Sequence, residues 1–108
     1  MAANAEFVRY IEELLAPLGF LGACRFFGGH AISCRGQQFA WIIGSTLYLR
    51  VSDATRAEFE AHGAHPFKYM TKKCEVTVRK FYTAPEFLLD DPEQLLLWSR
   101  RACSLSAL

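Results

Sequence analysis

The sequence has no C-x-x-C pair, no G-x-S-x-G, no G-x-x-x-x-G-K-[ST] and no spaced glycine fingerprint. Those absences remove the common zinc and redox signatures, the nucleophile elbow and the nucleotide-cradling loops. No apolar run approaches the roughly 20 residues that cross a bilayer, so no membrane association is expected. The N-terminus lacks the basic start and long apolar core of a secretory signal, which makes a cytoplasmic location the default. Cys24, Cys34, Cys74 and Cys103 are then expected as free thiols. Excess charge is lacking as well. The net charge is +1, so an argument for nucleic acid must rest on a local patch.

What is present is the composition of one folded domain, residues 1–108. With 52% hydrophobic and 21% charged residues, the chain can bury a core without staples. Asn4 fits an N-cap before an apolar helical stripe of Phe7, Val8, Ile11, Leu14, Leu15 and Leu18, closed by Pro17 and Gly19. Two β-rich runs, 39–43 and 46–51, flank Gly44-Ser45, a two-residue hairpin signal of type II′ character. Ser52 or Asp53 caps a second helix that ends near His62-Gly63. Phe67-Lys68-Tyr69 and the run from Glu75 to Tyr82 read as two more strands. Thr83-Ala84-Pro85-Glu86 has capping-box form ahead of a helical turn, and Asp91-Pro92-Glu93 opens the last helix. Its stripe is Leu95, Trp98, Ala102 and Leu105, and Arg100 and Arg101 suit its C-terminal end. Hairpin connections imply an α+β two-layer domain: an antiparallel sheet with helices mainly on one face.

The stretch Arg25-Phe26-Phe27-Gly28-Gly29-His30-Ala31-Ile32-Ser33-Cys34 invites a metal reading through Cys24, His30 and Cys34. Strand geometry argues against it. A three-residue loop, Gly28-Gly29-His30, sets Cys24 opposite Cys34 and gathers Cys24, Phe26, Ile32 and Cys34 on one apolar face. His30 then stands about 10 Å from the thiols, beyond any coordinate bond. Both cysteines are expected as small buried hydrophobes, and the glycines as positions of positive φ.

No cofactor, metal or catalytic residue is indicated, and the chain is read as not an enzyme. His62 and His65 suit a solvated helix end, and Asp91 is accounted for by capping.

Two features stand out. The segment 67–82 carries Lys68, Lys72, Lys73, Arg79 and Lys80 against the single acid Glu75, interleaved with Phe67, Tyr69, Phe81 and Tyr82. Cations for phosphates and aromatics for bases make it a candidate nucleic-acid or partner surface. Lysines guarding an exposed sheet edge explain it too. The second is the strand in which Phe39, Trp41 and Ile43 are expected on one face and Ile42, also apolar, on the other. It fits either a core strand covered on both faces or a homodimer interface on the open sheet face.

The order of these motifs resembles the N-terminal domain of the TfoX/Sxy family of bacterial competence regulators, in a stand-alone form. The resemblance is carried by the turn Arg25, Phe26, Phe27, Gly28, Gly29, where the family has Arg-x-Met-Phe-Gly-Gly. It continues through Phe39-Ala40-Trp41-Ile42, Leu47-Tyr48-Leu49-Arg50-Val51, Pro66-Phe67-Lys68-Tyr69 and the stretch from Phe81 to Trp98. It implies the order α-β(3)-α-β(2)-α, like secretion-chaperone folds. It also implies a regulatory, protein-interaction role in transcriptional activation of DNA-uptake genes, with the transcription machinery or the cyclic-AMP receptor protein as partner. Direct DNA contact through residues 67–82 is the alternative.

Overall fold

The computed structural model describes residues 4–19, 21–26, 29–34 and 36–106, with the side chains of 21, 25, 26, 105 and 106 left aside. Helix α1 (Ala5–Leu15) starts where Asn4 Oδ1 accepts the backbone N–H groups of Glu6 and Phe7, and it ends in a 3-10 turn, Ala16–Leu18, with Pro17 inside. Four strands follow: β1 (Leu21–Phe26), β2 (Gly29–Cys34), β3 (Gln37–Ile43) and β4 (Thr46–Arg50). Then come α2 (Asp53–Ala61), β5 (Pro66–Met70), β6 (Glu75–Thr83), the short α3 (Phe87–Asp90) and α4 (Pro92–Ser106).

The fold is the expected α+β arrangement, with one difference. The first meander has four strands where the resemblance implies three: the strand expected ahead of the glycine turn is present as Leu21–Phe26 and pairs along its whole length with β2. The six strands form one antiparallel sheet in the order β1-β2-β3-β4-β6-β5.

Local chemistry sets the element ends. Ser52, not Asp53, caps α2: its hydroxyl accepts the Thr55 N–H while Thr55 Oγ1 accepts the Ser52 N–H, a reciprocal capping box. Asp91 Oδ1 accepts the Gln94 N–H at the start of α4. Gly44 has φ +62° in the two-residue turn between Ile43 and Thr46. The box expected at Thr83 does not form, because Thr83 ends β6 and its hydroxyl accepts the His65 N–H instead. Arg101 lies a turn short of the end of α4, which runs to Ser106, and it pairs with Glu58 at 2.8 Å while lying over Trp98.

All four helices pack on one face of the sheet. Val8, Ile11 and Leu15 of α1, Phe59 of α2, Leu88 of α3, and Leu95, Trp98 and Ala102 of α4 close over Ile32, Cys34, Phe39, Ala40, Ile42, Leu47 and Leu49. The opposite face carries a second, aromatic cluster. Trp41 stacks on Phe81 with ring centroids 3.7 Å apart and meets Phe67 edge-on at 5.4 Å; Ala31, Tyr48, Tyr69 and Val78 surround them. Strand β3 is therefore a core strand, with Phe39, Trp41 and Ile42 buried and Ile43 half-buried. The exposed apolar patch that a sheet-face homodimer would need is not formed by these residues.

Phe39 and Trp41 were expected on one face and lie on opposite ones. The pairing passes from Ile32↔Ala40 to Ser33↔Gln38, leaving Phe39 as an extra, bulged residue that joins Ala40 in the helix-facing core.

The β1–β2 register also differs from expectation. Cys24 pairs with Ala31, Arg25 with His30 and Phe26 with Gly29. Cys34 therefore faces the helices and is buried, whereas Cys24 is exposed on the other face. Gly29 lies within β2, not in a turn, and its φ is not positive. It is glycine for a different reason: a Cβ there would run into the Ile42 carbonyl and lie 2.8 Å from Ile43 Cδ1. The constraint is a close approach of β2 to β3, at the His30↔Ile42 end of their pairing. Phe27 and Gly28 of the family-motif turn lie outside the described residues.

Candidate functional site

The β5–β6 hairpin gathers every cation of the 67–82 segment. Its dry side carries Phe67 opposite Val78 and Tyr69 opposite Val76, and it docks through Phe67 on Trp41 and Tyr48. Successive strand residues point to opposite faces, so Lys68 opposite Thr77 and Met70 opposite Glu75 form the wet side. Lys68, Lys72, Lys73, Arg79 and Lys80 are all exposed. Lys68 Nζ reaches Glu75 at 4.0 Å, a solvated contact that contributes little to stability.

The turn at the tip is held by a residue that charge reading overlooks. Thr71 Oγ1 donates to the Cys74 carbonyl at 2.9 Å and accepts the N–H groups of Lys73 and Cys74, while the Thr71 N–H donates to the same carbonyl at 2.8 Å. A Thr opening a four-residue turn is the available signal for this. The clamp leaves Lys72 and Lys73 at the apex. Beside it Met70 is 71% exposed, well above Leu97, Tyr10 and Phe87 among the exposed large hydrophobic residues.

The base of the hairpin is anchored. Phe81, Tyr82 and Thr83 pair with Arg50, Leu49 and Tyr48 of β4. The Lys80 carbonyl accepts the Val51 N–H at 2.7 Å, and the Arg79 carbonyl accepts Arg56 Nε at 3.1 Å. Arg56 is itself set by Asp53 at 2.7 Å.

The aromatics do not supply the base-stacking platform expected of them. Phe67, Phe81 and Tyr82 are buried. Tyr69 is half-buried, with its ring 6.0 Å from that of Phe67. Tyr82 donates its hydroxyl to Glu60 at 2.8 Å. Burial first, then that hydrogen bond and the Glu60 charge, push the Tyr82 pKa up. Burial raises the Tyr48 pKa too. Phe67 and Phe81 belong to the aromatic core and Tyr82 to the helix-side core, so what remains for a ligand is charge and Met70.

A second feature is a cleft of about 530 Å³ where the β3–β4 turn, the loop after α2 and the loop after β6 converge. His62, His65, Thr46, Thr83, Glu86 and Phe87 line it. His62 lies against the rings of Phe87 (5.0 Å) and Trp98 (5.6 Å). The His65 main chain is engaged by Thr83 through two hydrogen bonds. Both histidines are exposed at the rim. Among the described residues no three His, Cys, Asp or Glu side chains are grouped to hold a metal ion. His30 lies in β2 four residues from Cys34, about 13 Å along the strand.

The family model of the TfoX N-terminal domain matches residues 13–105, from the end of α1 through α4. The chain belongs to the TfoX N-terminal domain family. This TfoX N-terminal domain thus has the whole sheet, the aromatic core and the basic hairpin inside the matched region. A search of curated proteins returns no match. No helix among the described residues is long and apolar enough to cross a membrane.

Proposed function

We propose that this TfoX N-terminal domain is a non-enzymatic regulatory module that acts by binding a protein partner of the transcription machinery in competence. The family match over residues 13–105 carries the reading, since it takes in every strand and the helices after α1. The cyclic-AMP receptor protein is the partner to try first, with RNA polymerase second. The decisive measurement is calorimetric titration of the purified chain into each purified partner, with cyclic AMP and a DNA-uptake promoter present for the receptor protein. Saturable binding to one of them is expected. Heat of dilution alone with both would overturn the proposal.

A second reading, direct nucleic-acid contact through residues 67–82, is favoured by one observation. Five exposed cations stand against one acid in this hairpin, while the whole chain nets only +1. The rest of the molecule is therefore net acidic. Such a dipole presents one end to a polyanion and turns the other away.

A further inference from the structure

We propose that the β5–β6 hairpin is a duplex-DNA arm: a two-stranded ribbon that enters a groove with its wet side and tip. Lys72 and Lys73 would meet phosphates there, and Met70 would press on the sugar and base edges. The proposal rests on the nucleic-acid reading and deepens it by naming the ligand form, the contact mode and a positioning residue.

Shape is the first argument. A two-stranded ribbon fits the major groove of B-DNA, about 12 Å wide and 8.5 Å deep. Beyond its anchored base, the ladder from Phe67↔Val78 to Met70↔Glu75 projects three residue steps, about 10 Å, before the turn. That matches the depth of the groove.

Chemistry is the second. Single-strand binders rely on exposed rings, and here three of the four rings are buried in the domain's own cores. An arm that cannot stack bases has phosphates, sugars and groove edges left to contact. Met70 supplies the apolar part. In the major groove an apolar side chain gains contact with the thymine methyl group. An exposed thioether between Lys68 and the Thr71–Cys74 turn gains nothing from water, and it gains apolar contact on a ligand that the neighbouring lysines attract. Glu75 shares the wet side and opposes a polyanion, but Lys68 stands 4.0 Å from it and offsets its charge.

Pre-organisation is the third. Thr71 closes the turn through its hydroxyl, so the two apical lysines start from a fixed geometry. Thr71 is thus a positioning residue, acting through the shape of the turn.

The test is fluorescence anisotropy with the full chain against a labelled 20-base-pair duplex, the same single strand, and poly-glutamate as competitor, from 50 to 200 mM salt. A net four cations give a slope of log K on log salt near −3.6, so duplex affinity falls about 100-fold across that range. Lys72→Ala with Lys73→Ala halves the slope. Met70→Ala weakens duplex binding about five-fold with the slope unchanged and leaves single-strand binding as it was. Thr71→Val, which keeps every charge, also weakens the duplex complex at constant slope. Absence of binding to either nucleic acid at 50 mM salt would overturn the nucleic-acid reading itself. Equal affinity for duplex and single strand, indifference to Met70→Ala, or equal competition by poly-glutamate would overturn the groove-arm proposal alone. Circular dichroism of each variant separates lost binding from lost fold.

Discussion

Replacing Gly29 with alanine tests the closest approach in the sheet. In the observed register the new Cβ points at the Ile42 carbonyl and sits 2.8 Å from Ile43 Cδ1. The side-chain contact can yield by a rotamer change. The carbonyl cannot, because β3 is paired on both sides, with His30↔Ile42 toward β2 and Ile42↔Leu47 toward β4. Forcing a methyl into packed backbone costs about 3 kcal/mol, the upper part of the overpacking range. For a domain of this length that lowers the melting temperature by about 12 °C. Urea unfolding followed by far-UV circular dichroism gives the free energy directly. A cycle with Ile43→Val separates the two contacts: the smaller side chain should recover less than half of the loss, since the carbonyl remains. If Gly29→Ala changes stability by less than about 0.5 kcal/mol, a surface-like value, the strands do not approach as described and the register is wrong. Near-complete rescue by Ile43→Val would likewise refute the backbone explanation.

Ser99 is fully buried on α4, and its hydroxyl has no hydrogen-bond partner, so Ser99→Ala should raise stability by about 1 kcal/mol, read as a higher urea midpoint. A destabilised variant would mean that the hydroxyl is bonded after all, for instance to a carbonyl one turn back. The raised pKa of Tyr82 has a definite sign: the folded state keeps the phenol proton to higher pH than the unfolded chain. Its contribution is whole below the ordinary value of 10.0 and declines as pH rises through the folded value. Tyr82→Phe should cost about 1 kcal/mol at neutral pH and flatten the fall in stability between pH 9 and 11, with Tyr48 responsible for what slope remains. An unchanged alkaline slope would contradict the burial and the Glu60 pairing that together raise this pKa.

Helix starts were readable because capping is local: Asn4, the Ser52 region and Asp91 each bond within three residues. The hairpin turn at Gly44-Ser45 was readable for the same reason. The Phe39 bulge was not. Phe39 and Trp41 are two apart and both apolar, so a period of two places them together, and nothing nearby marks an extra residue. Nor was the reason for Gly29, which turns on a carbonyl of β3 and not on the turn that precedes it. In the candidate site, charge was plain and exposure was not. Phe67 and Phe81 look solvated beside the lysines until Trp41 arrives from another strand to bury them.

Trp41 has one more consequence. Phe67 stands at the foot of β5 and Phe81 at the foot of β6, and both rest on the same indole. With the Val51 and Arg56 hydrogen bonds, that seat couples the hairpin stiffly to the most deeply enclosed strand. A load applied at Lys72 or Lys73 is carried down the ribbon into β3 instead of dissipating in a slack joint. The arm is a lever with its fulcrum at an indole ring, and whatever grips its tip also torques the body of the domain.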